Sequence, residues 1–326
     1  MKRRTFIAGL TGAAIWPATG GAQQAAIPVV GYLSTGDAGT LAETLAGVRR
    51  GLSETGYVEG RNLTIEYRWA QDHLERLPEL AADLVRRQVA AIFVTNTPAA
   101  LAAQAATKSI PIVFLVGADP VDVGLVVSLN RPGGNLTGFN LLINDLAAKR
   151  LEVLHEIVPR AKLVAYLGNP DNPAVAEAEV RELHAAARIF GLDLLIVQCK
   201  QSNELEPAFA TLVRERADGL VVGGDGLFYR FRGDIIALAA RHKVPAVHPD
   251  NISVAAGGLA SYGTDYPDAW RQTGVYAGRI LKGEKPADLP AQQMTNVQLA
   301  INLKTAKALG LTFPTSLLVR ADEVIE

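Results

Sequence analysis

The sequence predicts an α/β protein of two lobes, each built on a parallel sheet. Three observations lead there. Short apolar runs bounded by turn residues alternate with helical patterns, which is the signature of βαβ units. The alternation then recurs with related residues in the same order. At 326 residues, the chain is long enough for about two domains of roughly 100–200 residues, each with its own core.

The elements follow in order. Pro28 to Leu33 reads as a strand, and Leu41 to Glu54 as an amphipathic helix stopped near Gly56. Asn62 to Trp69 is a strand of alternating character, and Leu77 to Gln88 a helix. Ala90 to Thr95 is a strand, Pro98 to Thr107 an alanine-rich helix, and Pro111 to Val116 a continuous apolar strand. Val30-Gly31-Tyr32-Leu33 returns as Val164-Ala165-Tyr166-Leu167, offset by 134. Ala82-Asp83-Leu84-Val85-Arg86 before Ile92-Phe93-Val94 returns as Ala210-Thr211-Leu212-Val213-Arg214 before Leu220-Val221-Val222, offset by 128. Ile110-Pro111-Ile112-Val113 returns as Val244-Pro245-Ala246-Val247, again offset by 134. Three matches in one order imply pseudo-equivalent lobes.

Open parallel sheets bind ligands beyond the carboxyl ends of their strands. Six such ends are rich in small and polar residues: Ser34 to Asp37, Asn96 to Pro98, Gly117 to Pro120, Gly168 to Asn172, Gly224 to Gly226 and Pro249 to Asn251. Facing lobes would bring them to one cleft, although each loop taken singly is also ordinary turn chemistry. Thr97 before Pro98 reads as an N-cap with proline at the first helical position, and Asn172-Pro173 repeats the pattern. Ser34, Thr35 and Thr97 are therefore expected to seat a ligand carboxylate. Asp119, Asp225 and Asp265 are candidates for a ligand ammonium, with Asp225 preferred.

The composition excludes other classes. Lys+Arg 32 against Asp+Glu 33, without basic blocks, gives no footprint for nucleic acid. One cysteine, Cys199, and five scattered histidines leave no disulfide framework and no metal centre, so no cofactor and no metal are expected. The glycines at 31, 36 and 39 miss both the nucleophile elbow and the dinucleotide pattern, and His155-Glu156 lacks a second histidine at zinc-helix spacing. No catalytic residues are expected. Lys2-Arg3-Arg4, an apolar stretch from Phe6 to Trp16 and small residues to Ala22 read as a secretory signal over residues 1–22. Arg3-Arg4-Thr5-Phe6-Ile7 resembles a twin-arginine export signal, which places the mature chain in the periplasm. No run matches a membrane span, so no membrane insertion of the mature chain is expected.

Longer strings carry a family resemblance. PIVFLVGADPVDVGLVVSLNRPGGNLTG at 111–138 and GGLASYGTDYPDAWRQTGVYAGRILKGEKPADLP at 257–290 resemble ABC-transporter substrate-binding proteins of the tryptophan/tyrosine-type family. So do EYRWAQDHLERLPELAADLV at 66–85 and the tail from Ile301. The resemblance implies a type I periplasmic-binding architecture, with two Rossmann-like lobes and hinge crossovers. It divides the chain into a first lobe at 27–140 plus about 262–290, and a second at 141–261 plus about 291–326. It places ligand contacts at Ser34, Thr35, Asn96, Thr97, Gly117 and Asp119, and across the cleft at Asn169, Asp225 and Tyr262. Many relatives have a glycine-rich turn where this chain has Asn96-Thr97-Pro98.

The function this implies is that of an exported solute receptor of an ABC importer, expected to be a monomer. It would capture a small carboxylate-bearing ligand, an amino acid and in some relatives an aromatic one. It would deliver that ligand to a permease and its ATPase subunit, both separate chains. The alternative is a ligand sensor docking on a membrane signalling protein. An α/β hydrolase or epimerase is disfavoured by the missing nucleophile, metal cluster and cofactor loop.

Overall fold

The computed structural model describes residues 27–326. The expected signal at 1–22 and its arginine pair lie outside the described residues. The first sheet is assembled from β1 (Val29–Ser34), β2 (Thr64–Trp69), β3 (Ala91–Val94), β4 (Ile112–Val116) and β5 (Leu136–Asn140). Its helices are α1 (Ala42–Glu54), α2 (Leu77–Arg86) and α3 (Thr97–Ala106). The second contains β6 (Leu163–Gly168), β7 (Asp193–Gln198), β8 (Gly219–Val222), β9 (Ala246–His248) and β10 (Ala260–Thr264). Around it lie α4 (Ala147–Ile157), α5 (Pro173–Phe190), α6 (Leu205–Arg214), α7 (Gly226–Arg230), α8 (Arg232–His242) and α9 (Asn251–Ala255). Then come α10 (Tyr266–Leu281), β11 (Gln292–Gln293), β12 (Val297–Asn302), α11 (Leu303–Leu309), α12 (Thr315–Arg320) and β13 (Glu323–Ile325).

The first sheet runs β11-β5-β4-β3-β1-β2 and the second β13-β12-β10-β9-β8-β6-β7. Both therefore contain the doubly wound order 2-1-3-4-5, and the repeat seen in the sequence is a repeat of topology. Every pairing is parallel except β10 with β12. The strands are continuous apolar runs because helices cover both faces: β3, β4 and β8 are buried along their whole length.

Among the described residues three connections pass between the sheets, at 141–146, at Asp265 and at 294–296. β10 belongs to the second sheet through Thr264, and β11 to the first, so the strands change sheet a few residues beyond the boundaries drawn from the sequence. The connections are tied to one another. The Thr264 hydroxyl donates to the Leu141 carbonyl at 2.6 Å, and the Asp265 amide to the Asn296 carbonyl at 3.1 Å.

After leaving the second sheet, α10 packs on α1 of the first lobe. The contact is close because glycines face each other. A Cβ on Gly51 would lie 1.9 Å from the Arg271 carbonyl oxygen, and one on Gly274 would lie 2.0 Å from that of Val48. Arg271 bridges Glu54 at 2.8 Å and Asp268 at 2.7 Å, which fixes the helix along its axis. This packing sets Tyr266 and Trp270, one turn apart, at the cleft.

Candidate functional site

The strand ends of both sheets meet around a cavity of about 60 Å³ between the lobes. The first lobe supplies Ser34, Thr44, Asn96, Thr97, Leu115 and Gly117; the second supplies Asn172, Asp225, Tyr229 and Arg230. Tyr266 and Trp270 of α10 complete the wall. A smaller polar cavity of about 30 Å³ adjoins it, lined by Thr35, Asp72, Asn169 and Lys200, with Asn96, Asp225 and Arg230 shared between the two.

The site residues expected from the sequence divide accordingly. Ser34, Asn96, Thr97, Gly117 and Asp225 line the main cavity, and Thr35 and Asn169 the adjoining one. Asp119 and Tyr262 line neither. Asp119 accepts the amides of Val121 at 2.7 Å and Asp122 at 3.2 Å, so it holds its own turn. Tyr262 packs against the core of the second lobe. Asp265 caps α10 by accepting the Asp268 amide at 3.1 Å.

The cap of α3 is Asn96, not Thr97. The Asn96 carbonyl oxygen of the side chain accepts the Ala99 amide at 2.9 Å, and Thr97 is the first helical residue. Both residue types cap helices well, and proline fits the second helical position here. Thr97 turns inward instead, where its hydroxyl accepts the Ala118 amide at 3.4 Å. Asn172 precedes α5 but makes no cap bond of its own side chain. Its amide donates to Asp225 at 2.7 Å, as does that of Asn169 at 3.0 Å, while the Leu227 amide donates to Asp225 at 2.8 Å.

Beneath the Gly223-Gly224-Asp225 loop lies a buried ionic network. Arg150 of α4 and Glu179 of α5 form an ion pair with no exposure on either side chain. Glu179 also accepts the Tyr166 hydroxyl at 2.7 Å and the Gly224 amide at 3.1 Å. Burial raises the Glu179 carboxyl above its ordinary range, while Arg150, Tyr166 and Gly224 pull it back down. The backbone of the second-lobe loop is thus held by a carboxylate from below.

Contacts across the cleft show the lobes closed. Arg230 reaches over Gly36 to pair with Asp72, and its other terminal nitrogen lies 3.5 Å from the Thr35 hydroxyl. Arg232 donates to Glu43 at 2.8 Å, and the Tyr229 hydroxyl donates to the same carboxylate. Burial and the Glu43 hydrogen bond raise the Tyr229 hydroxyl well above its ordinary range, so it stays a donor. The Tyr229 ring stands edge-on to Trp270 at 5.5 Å and lies 5.9 Å from that of Tyr266. Aliphatic Leu41, Leu115, Leu141, Ile143 and Val175 fill the rest of the wall.

Tyr229, Arg230, Tyr266, Trp270 and Asn172 were not among the expected site residues. Tyr266 and Trp270, four residues apart across the Pro267 that marks a helix start, were a readable signal. Tyr229 and Arg230 had only their nearness to Asp225.

Two doubly wound lobes, three connections and a cavity between the strand ends define a receptor that closes on a small solute. The chain belongs to the ABC transporter substrate binding protein family, whose model matches residues 30–325. It is 30% identical over 265 residues to a tyrosine-binding protein of Clostridioides difficile, covering 81% of this chain and 76% of that one. A Streptococcus pneumoniae ABC domain solved in complex with L-Trp is 27% identical, with 91% of this chain and 99% of that one covered and a TM-score of 0.81. A ligand-free, open structure of a substrate-binding protein with adhesive properties from Clostridium difficile is 28% identical. There 92% of this chain and 99% of that chain are covered, but the TM-score is 0.63. Identity and coverage barely differ between these two, and the closer superposition is with the complex, in keeping with the closed cleft. The chain is thus a solute-binding receptor of an ABC importer rather than an enzyme. The family works outside the cytoplasm with a permease and an ATPase.

Proposed function

We propose that this receptor captures an aromatic α-amino acid between its lobes. The observation that carries the reading is the aromatic wall of Tyr229, Tyr266 and Trp270, opposed by hydroxyl and amide groups at Ser34, Asn96 and Thr97. An aromatic ring gains both burial and edge contacts against such a wall. The relatives described above, one named for tyrosine and one solved with tryptophan, support the same class. The ligand contacts in this reading are Ser34, Thr35, Asn96, Thr97, Gly117, Asn169 and Asp225, with the ammonium towards Asp225. Arg3-Arg4 before an apolar stretch supports export to the periplasm by the twin-arginine route. The mature receptor is read as a monomer of two lobes, with the chain changing sheet after Thr264 and after Gln293.

Calorimetry with L-tryptophan, L-tyrosine and L-leucine tests the class. The aromatic acids should bind at least tenfold tighter than leucine, and Trp270→Ala should remove most of that margin. Leucine binding as tightly as either aromatic acid would show the wall is not a specificity element. Lysine replacement of both Arg3 and Arg4 should hold the precursor in the cytoplasm; normal export would exclude the twin-arginine route alone.

A further inference from the structure

We infer that Arg230, from the second lobe, is the group that reads the ligand's carboxylate; the inference rests on the amino-acid reading above. The first lobe supplies few free donors for a carboxylate. Of the first amides of α3, Pro98 has none, Ala99 donates to the Asn96 side chain, and Ala100 donates to the Asn96 carbonyl at 3.1 Å. Only Thr97 keeps a free amide at that helix end. A full negative charge buried there needs a stronger partner than one amide and neutral hydroxyls.

Arg230 is placed to be that partner. Its side chain is 3% exposed, and it lines both the main cavity and the adjoining polar one. One terminal nitrogen pairs with Asp72, the other makes a long contact with Thr35, and the buried Nε has no partner among the described residues. A guanidinium with unused donors in a cavity is suited to a planar carboxylate. The glycine at 36 makes the reach possible, because a Cβ there would lie 2.8 Å from the Arg230 Cδ. The charges around it favour a zwitterion. Burial raises the Asp72 carboxyl above its ordinary range, Arg230 pulls it back down, and the nearby Asp37 and Asp225 push it up. A ligand ammonium at Asp225 offsets the excess of carboxylates while Arg230 holds the acid.

The test compares L-tryptophan with L-tryptophanamide, and L-tyrosine with its amide, by calorimetry on three variants. The wild type should bind the acid roughly tenfold to a hundredfold tighter than the amide. Arg230→Gln should bring acid and amide to within about threefold of each other, and Arg230→Lys should keep part of the preference. Asp72→Asn separates ligand reading from lobe latching: it should weaken acid and amide together and keep their ratio. The inference is overturned if Arg230→Gln keeps the wild-type ratio, or if Asp72→Asn erases it as fully. Equal binding of acid and amide by the wild type overturns it too, while leaving the aromatic class intact. Binding of neither by the wild type overturns the aromatic class, and this inference with it.

Discussion

Tyr32 and Tyr166 occupy the same place in the two lobes, yet they stand on different chemistry. Tyr32 of β1 shares a hydrogen bond of 2.9 Å with the Thr95 hydroxyl, a neutral partner on the next strand end. Tyr166 of β6 donates instead to Glu179, which is paired with Arg150 and holds the Gly224 amide. The same offset sets His248 of β9 against Phe114 of β4. One lobe supports its cleft loops with neutral groups, the other with buried ionisable ones. The scaffold fixes where the loops stand, and the residues beneath them fix how firmly each is held.

The two supports differ most at Glu179. Glu179→Leu leaves Arg150 buried without its partner, and urea unfolding should show a loss of about 3–5 kcal/mol. Adding Arg150→Met should restore much of it, because the uncompensated charge is then gone. Tyr32→Phe in the first lobe, measured in the same way, should cost no more than about 1.5 kcal/mol. A single Glu179→Leu variant as stable as Tyr32→Phe would mean the two supports are equivalent.

His248 sharpens the contrast through pH. Burial pushes its imidazole down to about 4, and its Nε2 has no partner among the described residues. Between the ordinary histidine range and that value, the unfolded chain takes up a proton that the folded chain refuses. The contribution is fully present above about pH 6.5 and is lost as the pH falls towards 4, by up to about 3 kcal/mol. Glu179 and Asp250, both raised by burial, act with the opposite sign, so the readout is a difference between slopes. His248→Phe, the first-lobe residue, should lose less stability than the wild type between pH 7 and pH 5 in thermal melts. Parallel curves would count against a neutral buried imidazole.

The smallest effect lies at the start of α3. Asn96→Ala should cost about 1 kcal/mol by loss of the cap. Thr97→Ala, which gives up only a 3.4 Å contact, should cost less than half of that while weakening ligand binding about tenfold. Equal stability losses in denaturant would return the cap to both residues.

The fold was legible because its signals are local and repeated. β1, β3 and β4 are apolar runs ended by Ser, Thr, Asn and Gly, and the same runs return as β6, β8 and β9. Seven of the nine expected contact residues line one of the two cavities, since strand ends are where such sheets bind. Thr97 and Asn96 were confused because both residue types cap helices and they are adjacent. Tyr262 was misplaced by one residue class of argument: it lies near a crossover, but its strand turns the ring to the core. Arg230 was invisible for a different reason. Its partners Asp72 and Thr35 are 158 and 195 positions away, and they meet only when the lobes close. Arg150 and Glu179 are likewise ordinary helix charges until α4 and α5 pack together.

The ties among the three connections have a mechanical consequence. With Thr264 bonded to Leu141 and Asp265 to Asn296, the linking strands cannot slide or twist past one another independently. Such ties favour relative motion of the lobes by rotation about a common axis over independent sliding of each connection. Shutting then sacrifices little conformational freedom, and more of the contact energy in the cleft remains as affinity. Loosening one tie, as Thr264→Val would do, adds modes of motion that are lost again at every capture.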